Sequence, residues 1–427
     1  MLNRKQPPAF RTIDKINVIR ATHEKLENGI GYYSVSAGSQ EITRIEFIFR
    51  AGMYHQPATL IASTTNTLLE SGTKSYTADQ LSDGIDFYGS FLELQVEQDF
   101  ATITLFTLNK YLDESLAFIE ELIKYPVFPE NEFRIHIANR RQKHTINSQK
   151  VNVLARRKFT GLLFGNKHPY GIEVHDEDYD RVNVEELMAF FRARYTFDNC
   201  TIIAAGNLPT GILSTLNKFF GKEKWGGSAA PARKEEPEIT TTPQQKHFTL
   251  KDDAIQSAIR VGRVLFNKTH PDYFKFQVLN SVLGGYFGSR LMANIREDKG
   301  YTYGIGSGLN NLVRAGYFYI ATEVGADVTV PTLTEIYKEI RALRENPIGS
   351  SELETVRNYM LGNFLRSVDG PFALADKFKA IWEYGLDYDF FDRYFDAVKA
   401  VTPHDLQALA NEYLQEKDLV ECVVGKM

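Results

Sequence analysis

One segment of this 427-residue chain occurs twice in recognisable form. In each copy a glycine stands 24 positions after a valine, over 182–206 and 401–425, and 401 minus 182 gives an offset of 219. Asn183 and Thr402 are good helix N-caps, and acidic residues follow both. Each copy therefore predicts a helix of about three turns that leads into a β-strand. An offset close to half the chain indicates two copies of one fold.

A second correspondence supports this duplication. Residues 126–133 end one amphipathic helix and begin another, and residues 347–353 do the same in the second half. The helix before each segment has apolar residues spaced three, four and seven apart, which places them on one face. The stripes are Leu112, Leu116, Ile119 and Ile123 in the first half, and Leu333, Ile336 and Ile340 in the second.

The segment between the halves is rich in proline, small residues and charge, which is typical of a linker. We therefore predict a first repeat over 15–222, a linker over 223–245 and a second repeat over 246–427. Alternating apolar residues around 92–105 indicate antiparallel strands. The predicted fold class is α+β, with an antiparallel sheet and helices on one face in each half.

Composition excludes several classes of protein. The formal net charge of −5 argues against a general nucleic-acid binder. The only cysteines, Cys200 and Cys422, exclude a disulfide scaffold and a four-cysteine zinc site. We expect a cytoplasmic protein, because no apolar stretch is long enough for a membrane span and the first residues do not resemble a signal peptide.

Several ordered motifs run along nearly the whole chain. They are Gly72-Thr73-Lys74 after a predicted helix, the segment Pro126–Pro129, His168-Pro169-Tyr170-Gly171, the glycine-rich run Gly284–Leu291 and the run Arg296–Tyr303. Together they resemble the pitrilysin/insulinase family of zinc peptidases. The resemblance implies two homologous halves that enclose a chamber, with a zinc motif His-x-x-Glu-His in the first half.

That zinc motif is degenerate here. Aligned on Gly72, the two zinc histidines of the family fall on Ser63 and Thr67, and its catalytic glutamate falls on Asn66. Hydroxyl groups are poor zinc ligands, and an amide cannot act as a general base. A slipped alignment does not help, because no histidine lies between residues 55 and 136.

The third ligand expected from the resemblance, a downstream glutamate, is also missing. Residues 133–172 contain nine Lys or Arg and no Asp or Glu. We predict that this chain neither binds catalytic zinc nor hydrolyses peptides alone, so no cofactor is expected in it. The basic stretch has three interpretations: a solvated helical face, a surface for an acidic partner, or a wall that binds acidic peptides.

The second-half motif is intact. In the family, an Arg/Tyr pair from the second repeat faces the zinc site, and this implies that Arg296 and Tyr303 stabilise a peptide oxyanion. Tyr301 is the alternative tyrosine. The residues before the pair are candidates for substrate binding, because glycines permit positive φ and close backbone approach. They are Gly284, Gly285, Tyr286, Phe287 and Gly288.

Some bacterial members of the family divide the work between two chains. The resemblance implies that this chain is the non-catalytic subunit, which supplies Arg296 and Tyr303 in trans to a homologous partner that carries the zinc. The substrate would be a peptide or unfolded polypeptide, and the isolated chain could self-dimerise. The alternative is a structural or peptide-binding subunit without turnover. We interpret the 168–171 motif as a turn and find no metal spacing among His136, His144 and His175.

Overall fold

The computed structural model describes residues 18–227 and 236–427. The start of the predicted first repeat, 15–17, and residues 228–235 of the predicted linker lie outside this range. The strands of the first half are β1 (Thr22–Lys25), β2 (Gly31–Ser36), β3 (Ile42–Phe49), β4 (Phe91–Val96), β5 (Ala101–Leu108) and β6 (Cys200–Gly206). Those of the second half are β7 (Lys246–Leu250), β8 (Gln256–Leu265), β9 (Ile305–Asn311), β10 (Gly316–Gly325) and β11 (Val420–Gly425).

The α-helices are distributed in the same way. The first half contains α1 (Ile61–Thr67), α2 (Ala78–Phe87), α3 (Leu112–Lys124), α4 (Glu130–Asn147), α5 (Val151–Phe164), α6 (Asp178–Arg181), α7 (Val184–Arg194) and α8 (Ile212–Leu216). The second half contains α9 (Tyr273–Asn280), α10 (Thr329–Glu345), α11 (Ser350–Arg366), α12 (Pro371–Trp382), α13 (Asp389–Ala400) and α14 (Pro403–Tyr413).

The two sheets share one topology. The first has the strand order β1-β2-β6-β3-β5-β4, and the second has β7-β11-β8-β10-β9. Apart from the extra β1, the two orders coincide strand for strand. Both sheets are antiparallel except for one parallel pair, β2 with β6 and β7 with β11. The prediction of an α+β fold with two homologous halves is confirmed.

Local sequence explains where the repeated helices begin. The side chain of Asn183 accepts a hydrogen bond from the Glu186 N–H at 2.9 Å, which caps α7. Thr402 and Asp405 form a reciprocal capping box at α14, with Pro403 in its first turn. Each cap satisfies backbone N–H groups that have no partner within their helix. The N-caps predicted from the repeat are therefore correct.

Each half packs its own helices on one face of its sheet, as predicted. The opposite face receives a helix from the other half, which the sequence did not indicate. Phe159 and Leu163 of α5 pack in one core cluster with Val424 of the second sheet. In return, Leu374 and Phe378 of α12 belong to a core cluster that includes residues of the first sheet. This reciprocal exchange buries apolar surface between the halves and fixes their arrangement.

The turns of two equivalent hairpins also join the halves. Asp99, between β4 and β5, accepts hydrogen bonds from the Val313 N–H at 3.1 Å and from Arg314 at 3.0 Å, both between β9 and β10. The Tyr170 hydroxyl donates to the same carboxylate at 2.7 Å. Asp99 is therefore a buried anion with a cationic partner and several hydrogen bonds.

Candidate functional site

Asn66, at the position of the family's catalytic glutamate, is a structural residue. Its side-chain NH2 group donates to the Gln95 carbonyl at 3.1 Å and to the Thr102 carbonyl at 3.4 Å. Its oxygen accepts from the Tyr195 hydroxyl at 2.9 Å, and only 1% of the residue is exposed. The amide thus attaches α1 to strands β4 and β5. An amide is not basic enough to take a proton from a water molecule, so Asn66 cannot act as a general base.

Arg140 of α4 reaches the same helix. Its Nη2 lies 2.7 Å from Ser63 Oγ, and its Nη1 lies 3.1 Å from Thr64 Oγ1. A guanidinium group therefore contacts Ser63, the residue that we predict to align with a zinc histidine of the family. Burial lowers the pKa of Arg140, yet the group stays charged at any ordinary pH because arginine starts so far above neutrality.

The surroundings of Arg140 also disfavour a second cation. Burial, followed by the charges of Arg140 and Lys143, lowers the pKa of His136 to about 4. His136 is therefore neutral at pH 7. Within residues 18–227 and 236–427, no group of three His, Cys, Asp or Glu could hold a metal ion. The hydroxyls of Ser63 and Thr67, the amide of Asn66 and the guanidinium do not suit zinc.

The basic stretch is divided among several local contacts. Arg141 forms ion pairs with Asp176 and Asp180, both on exposed surface. His144 lies 3.1 Å from the Tyr179 hydroxyl and 3.3 Å from a nitrogen of Arg157. Through these contacts Arg141 and His144 join α4 to the segment around α6, and His144 also joins α4 to α5. The interpretation as a surface for an acidic partner remains a prediction for the other basic residues.

The 168–171 motif forms a turn that is largely buried. The Tyr170 N–H donates to His168 Nδ1 at 3.1 Å, and the Gly171 N–H donates to the His168 carbonyl at 2.8 Å. Tyr170 then reaches Asp99 at the junction of the two halves. The motif therefore has the structural role that its sequence indicates.

Arg296 and Tyr303 lie together on the surface of the second half. Arg296 belongs to a π-helical turn, Met292–Asp298. Its guanidinium carbon lies 4.5 Å from the centre of the Phe287 ring and 5.7 Å from that of Tyr303. Phe287 is 60% exposed and Tyr303 is 94% exposed. Cation–π contacts at such distances orient a guanidinium without consuming its N–H donors.

Tyr301 is placed differently from Tyr303. It packs against the apolar core of the second half, and its N–H donates to the Ile295 carbonyl at 3.0 Å. Of the two candidate tyrosines, only Tyr303 has its ring beside the Arg296 guanidinium in the contacts described.

The glycine-rich run has a packing role rather than an unusual backbone conformation. Gly284, Gly285 and Gly288 do not adopt positive φ, so this part of our expectation is wrong. Gly284 lies close to the chain's own strand β9, where a Cβ would lie 2.6 Å from Ser307 Oγ and 2.8 Å from the Ser307 nitrogen. Close approach of these glycines to a bound peptide stays a prediction. The neighbouring Tyr286 stacks on Tyr359 with ring centres 4.7 Å apart. Gly284 thus lets the π-helical turn Ser281–Gly285 pack against β9.

Two features of the structure could receive a peptide. Strand β4 is an edge strand, held beside α1 by Asn66, and an exposed edge can pair with an extended chain. A cavity of about 370 Å³ lies beside Tyr303. Asn152 of α5 and Glu323 of β10 line it and are joined by a 3.0 Å hydrogen bond. Both cysteines are free and buried, so neither is a candidate nucleophile.

Sequence reasoning missed Arg140. The sequence feature that could have revealed it is the segment 133–172, which contains basic residues and no Asp or Glu. This is the segment in which the third zinc ligand would be expected. The polar partners of Arg140 are two hydroxyls of α1, and these are more than 70 residues away in the sequence.

Comparison with known proteins gives consistent matches. Residues 181–360 match the model of the peptidase M16 inactive domain. An uncharacterized zinc protease YmxG of Bacillus subtilis is 23% identical, over 70% of this chain and 72% of its own length. A non-peptidase homolog YmxG of Helicobacter pylori is also 23% identical, over 69% and 68%.

A solved structure shows the same fold. The peptidase M16 inactive domain from Pseudomonas fluorescens aligns with a TM-score of 0.85 and 20% identity. The alignment covers 95% of this chain and 98% of that one. Among the helices of the described residues, none is long and apolar enough to cross a membrane.

Proposed function

This chain is an inactive homologue of the M16 peptidases, and we propose that it acts as the non-catalytic subunit of a two-chain zinc peptidase. In this proposal the zinc and the general base belong to a homologous partner chain. This chain supplies Arg296 and Tyr303, whose N–H and O–H groups donate to the peptide oxygen on which negative charge develops. The substrate is a peptide or an unfolded segment enclosed between the two chains.

The observation that carries the proposal is the contrast between the two halves. In the first half, hydroxyls, an amide and the Arg140 guanidinium stand where zinc chemistry would need imidazoles and a carboxylate. In the second half, Arg296 and Tyr303 are retained on the surface beside Phe287. Tyr303 is 94% exposed, and such an arrangement suits a group that acts on something outside this chain.

Donor geometry supports the assignment to Arg296. The contacts described for Arg296 are with two aromatic rings and not with an oxygen acceptor, so its N–H groups remain available as donors to a carbonyl oxygen. Preorganised donors of this kind contribute most when water is excluded, as they would be when a partner covers them. Catalysis by this chain alone is not part of the proposal.

Copurification tests the partnership. The full chain is isolated from its own cells under mild conditions, and the proteins that accompany it are identified by mass spectrometry. We expect a chain of similar length with His-x-x-Glu-His in stoichiometric amount. The two purified chains are then mixed, and hydrolysis of a quenched fluorescent peptide library is followed.

Two variants test the residues in trans. Arg296→Ala and Tyr303→Phe should lower kcat of the mixture by about 100-fold or more, the usual effect of losing an oxyanion donor. Binding of the two chains, measured separately, should stay unchanged. Tyr301→Phe is the matched control and should retain activity. Full activity of both Arg296→Ala and Tyr303→Phe mixtures would rule out the role in trans.

The second candidate is a structural or peptide-binding subunit without turnover. The Helicobacter pylori relative described as a non-peptidase homolog favours it, and the exposed edge of β4 could still bind an extended peptide. Stable association with proteins that lack a zinc motif, together with peptide binding but no hydrolysis, would support this candidate over the first.

A further inference from the structure

A cavity in the second half has a chemical character that the proposed function does not use. It has a volume of about 350 Å³ and lies between α9, α11, α12 and α13. This volume lies in the range of pockets that hold small molecules. Its lining includes two lysines, Lys268 and Lys377, and no Asp or Glu.

Neither lysine has a carboxylate partner among the described residues. The ammonium of Lys268 donates to the Ala380 carbonyl at 2.9 Å and lies 4.7 Å from the centre of the Tyr384 ring. That of Lys377 lies 5.4 Å from the centre of the Phe364 ring. Asp376, the acid next to Lys377 in the sequence, instead pairs with Arg44 at 2.7 Å. The cavity therefore has two positive charges without neutralisation by an ion pair.

The two charges also act on each other. Burial lowers the pKa of Lys268, and the charge of Lys377 lowers it further, although Glu383 and Glu97 act in the opposite direction. Burial lowers the pKa of Lys377 as well, although the charge of Asp376 acts in the opposite direction. Glu383 and Glu97 do not line the cavity. An anion between the two lysines would relieve this unfavourable electrostatic arrangement.

The other residues that line the cavity indicate what the uncharged part of the ligand would be. Aromatic rings form much of the wall, among them Phe364 and Tyr394. Asn363 and Ser367 add neutral polar groups to the lining. A pocket that combines two cations with aromatic walls favours a ligand with an anionic head and an aromatic or apolar body.

We propose that this cavity is a binding site for a carboxylate attached to an aromatic or large apolar group, with the carboxylate held by Lys268 and Lys377. Two sources share this chemistry: a free small acid, and the C-terminal residue of a peptide. The site is distinct from Arg296 and Tyr303. It adjoins the glycine-rich run through Gly285 and Tyr359, on which Tyr286 stacks.

Calorimetric titration of the full chain tests the proposal without any variant. N-acetylphenylalanine is compared with N-acetylphenylalaninamide, which has the same body without the charge. We expect the acid to bind at least about tenfold more tightly, because a charge-assisted hydrogen bond is lost with the amide. Equal affinity of the two compounds, or no binding of the acid at millimolar concentration, would overturn the proposal.

Variants then locate the site. Lys377→Met should weaken binding of the acid by about tenfold, whereas Lys377→Arg should retain most of it. Lys417→Met, at an exposed lysine outside the cavity, is the control and should bind as the unaltered chain does. Acid binding that is indifferent to both Lys377→Met and Lys268→Met would place the ligand elsewhere and refute the assignment.

A third compound separates the two sources. 3-Phenylpropanoate has the carboxylate and the ring but lacks the N-acetylated amide of a peptide terminus. Tighter binding of N-acetylphenylalanine would identify a peptide C-terminus as the ligand class, whereas tighter binding of 3-phenylpropanoate would identify a free acid. Either preference supports the cavity as a carboxylate site. The measurement does not depend on peptidase activity, so it can fail or succeed independently of the proposed function.

Discussion

Arg140 Nη2 lies 2.7 Å from Ser63 Oγ, so a cationic group contacts the helix position at which a zinc ligand of the family would stand. The second nitrogen of the same guanidinium contacts Thr64 at 3.1 Å. If Ser63 aligns with a zinc ligand as predicted, a positive charge accompanies the missing ligand. Restoring ligands alone would place a metal ion beside that charge.

This relationship predicts how a zinc site could be rebuilt. The double substitution Ser63→His and Thr67→His recreates an i, i+4 histidine pair. We expect it to bind zinc weakly while Arg140 is present. Adding Arg140→Met should raise zinc affinity by about tenfold or more, because Coulomb repulsion of a nearby cation is removed. Competition with a chromogenic chelator measures the affinity.

Arg141→Met, added to the same double substitution, is the matched control for that experiment. Arg141 is the next residue of α4, but its guanidinium pairs with Asp176 and Asp180 rather than with α1. We expect no gain in zinc affinity from this change. Equal affinities with and without Arg140 would show that its charge does not oppose metal binding.

The parts of the fold that depend on local sequence could be predicted. Asn183 and Thr402 cap their helices within three residues of sequence, so the repeat itself revealed them. The helix expected before Gly72 is present as α1, and Ser63, Asn66 and Thr67 lie on it. Their correspondence with the zinc motif rests on counting back from Gly72 and stays a prediction.

Contacts between distant segments could not be predicted. The packing of α12 on the first sheet joins residues of opposite halves, and periodicity gives no partner for an apolar face. Arg140 and Ser63 are separated by 77 positions and meet only because α4 folds back across α1. The π-helical turn Ser281–Gly285 likewise depends on packing against β9, where Gly284 leaves room for Ser307 without adopting positive φ.

A second prediction concerns Asn66. Asn66→Asp replaces an NH2 group that donates to two carbonyls with a carboxylate that can only accept. With 1% exposure, the charge cannot be solvated, and we expect a loss of about 3 kcal/mol in the free energy of unfolding. Tyr195→Phe removes only one hydrogen bond to Asn66 and should cost about 1 kcal/mol. Chemical denaturation measures both; an Asn66→Asp variant as stable as the unaltered chain would contradict the structural role of Asn66.

The two tyrosines near Arg296 should differ in their effect on stability. Tyr303→Ala should change the free energy of unfolding by less than about 0.5 kcal/mol, because the side chain is 94% exposed. Tyr301→Ala should cost about 1–2 kcal/mol, because its ring packs against the core. Thermal and urea unfolding of the two variants make the comparison. Similar losses for both would argue that Tyr303 is also structural.

Glu383 predicts a pH dependence of stability. Burial raises the pKa of Glu383 from 4.5 to about 7, and the charges of Glu97 and Asp99 act in the same direction, whereas Lys379 and Lys268 oppose them. The folded state therefore binds the proton more tightly than the unfolded state does. This contribution to stability is complete below about pH 4.5 and is lost as the pH rises through about 7.

Glu383→Gln removes that titration. Relative to the unaltered chain, this variant should gain on the order of 2 kcal/mol between pH 5 and pH 8, a value reduced for partial solvent screening. Glu354→Gln, on the exposed face of α11, is the control and should follow the unaltered chain at both pH values. Urea denaturation at pH 5 and pH 8 measures the free energy of unfolding of the three proteins. The same change with pH in all three would refute the prediction.

Two glycines in helical segments should respond in opposite ways to alanine. Gly284→Ala would place a Cβ 2.8 Å from the Ser307 backbone nitrogen, which cannot move without distorting β9. We expect a loss of about 2 kcal/mol in the free energy of unfolding. Gly362→Ala, inside α11, meets nothing within 4 Å and should stabilise by about 0.5–1 kcal/mol. Urea denaturation measures both, and a neutral Gly284→Ala would show that the glycine is not needed for this close packing.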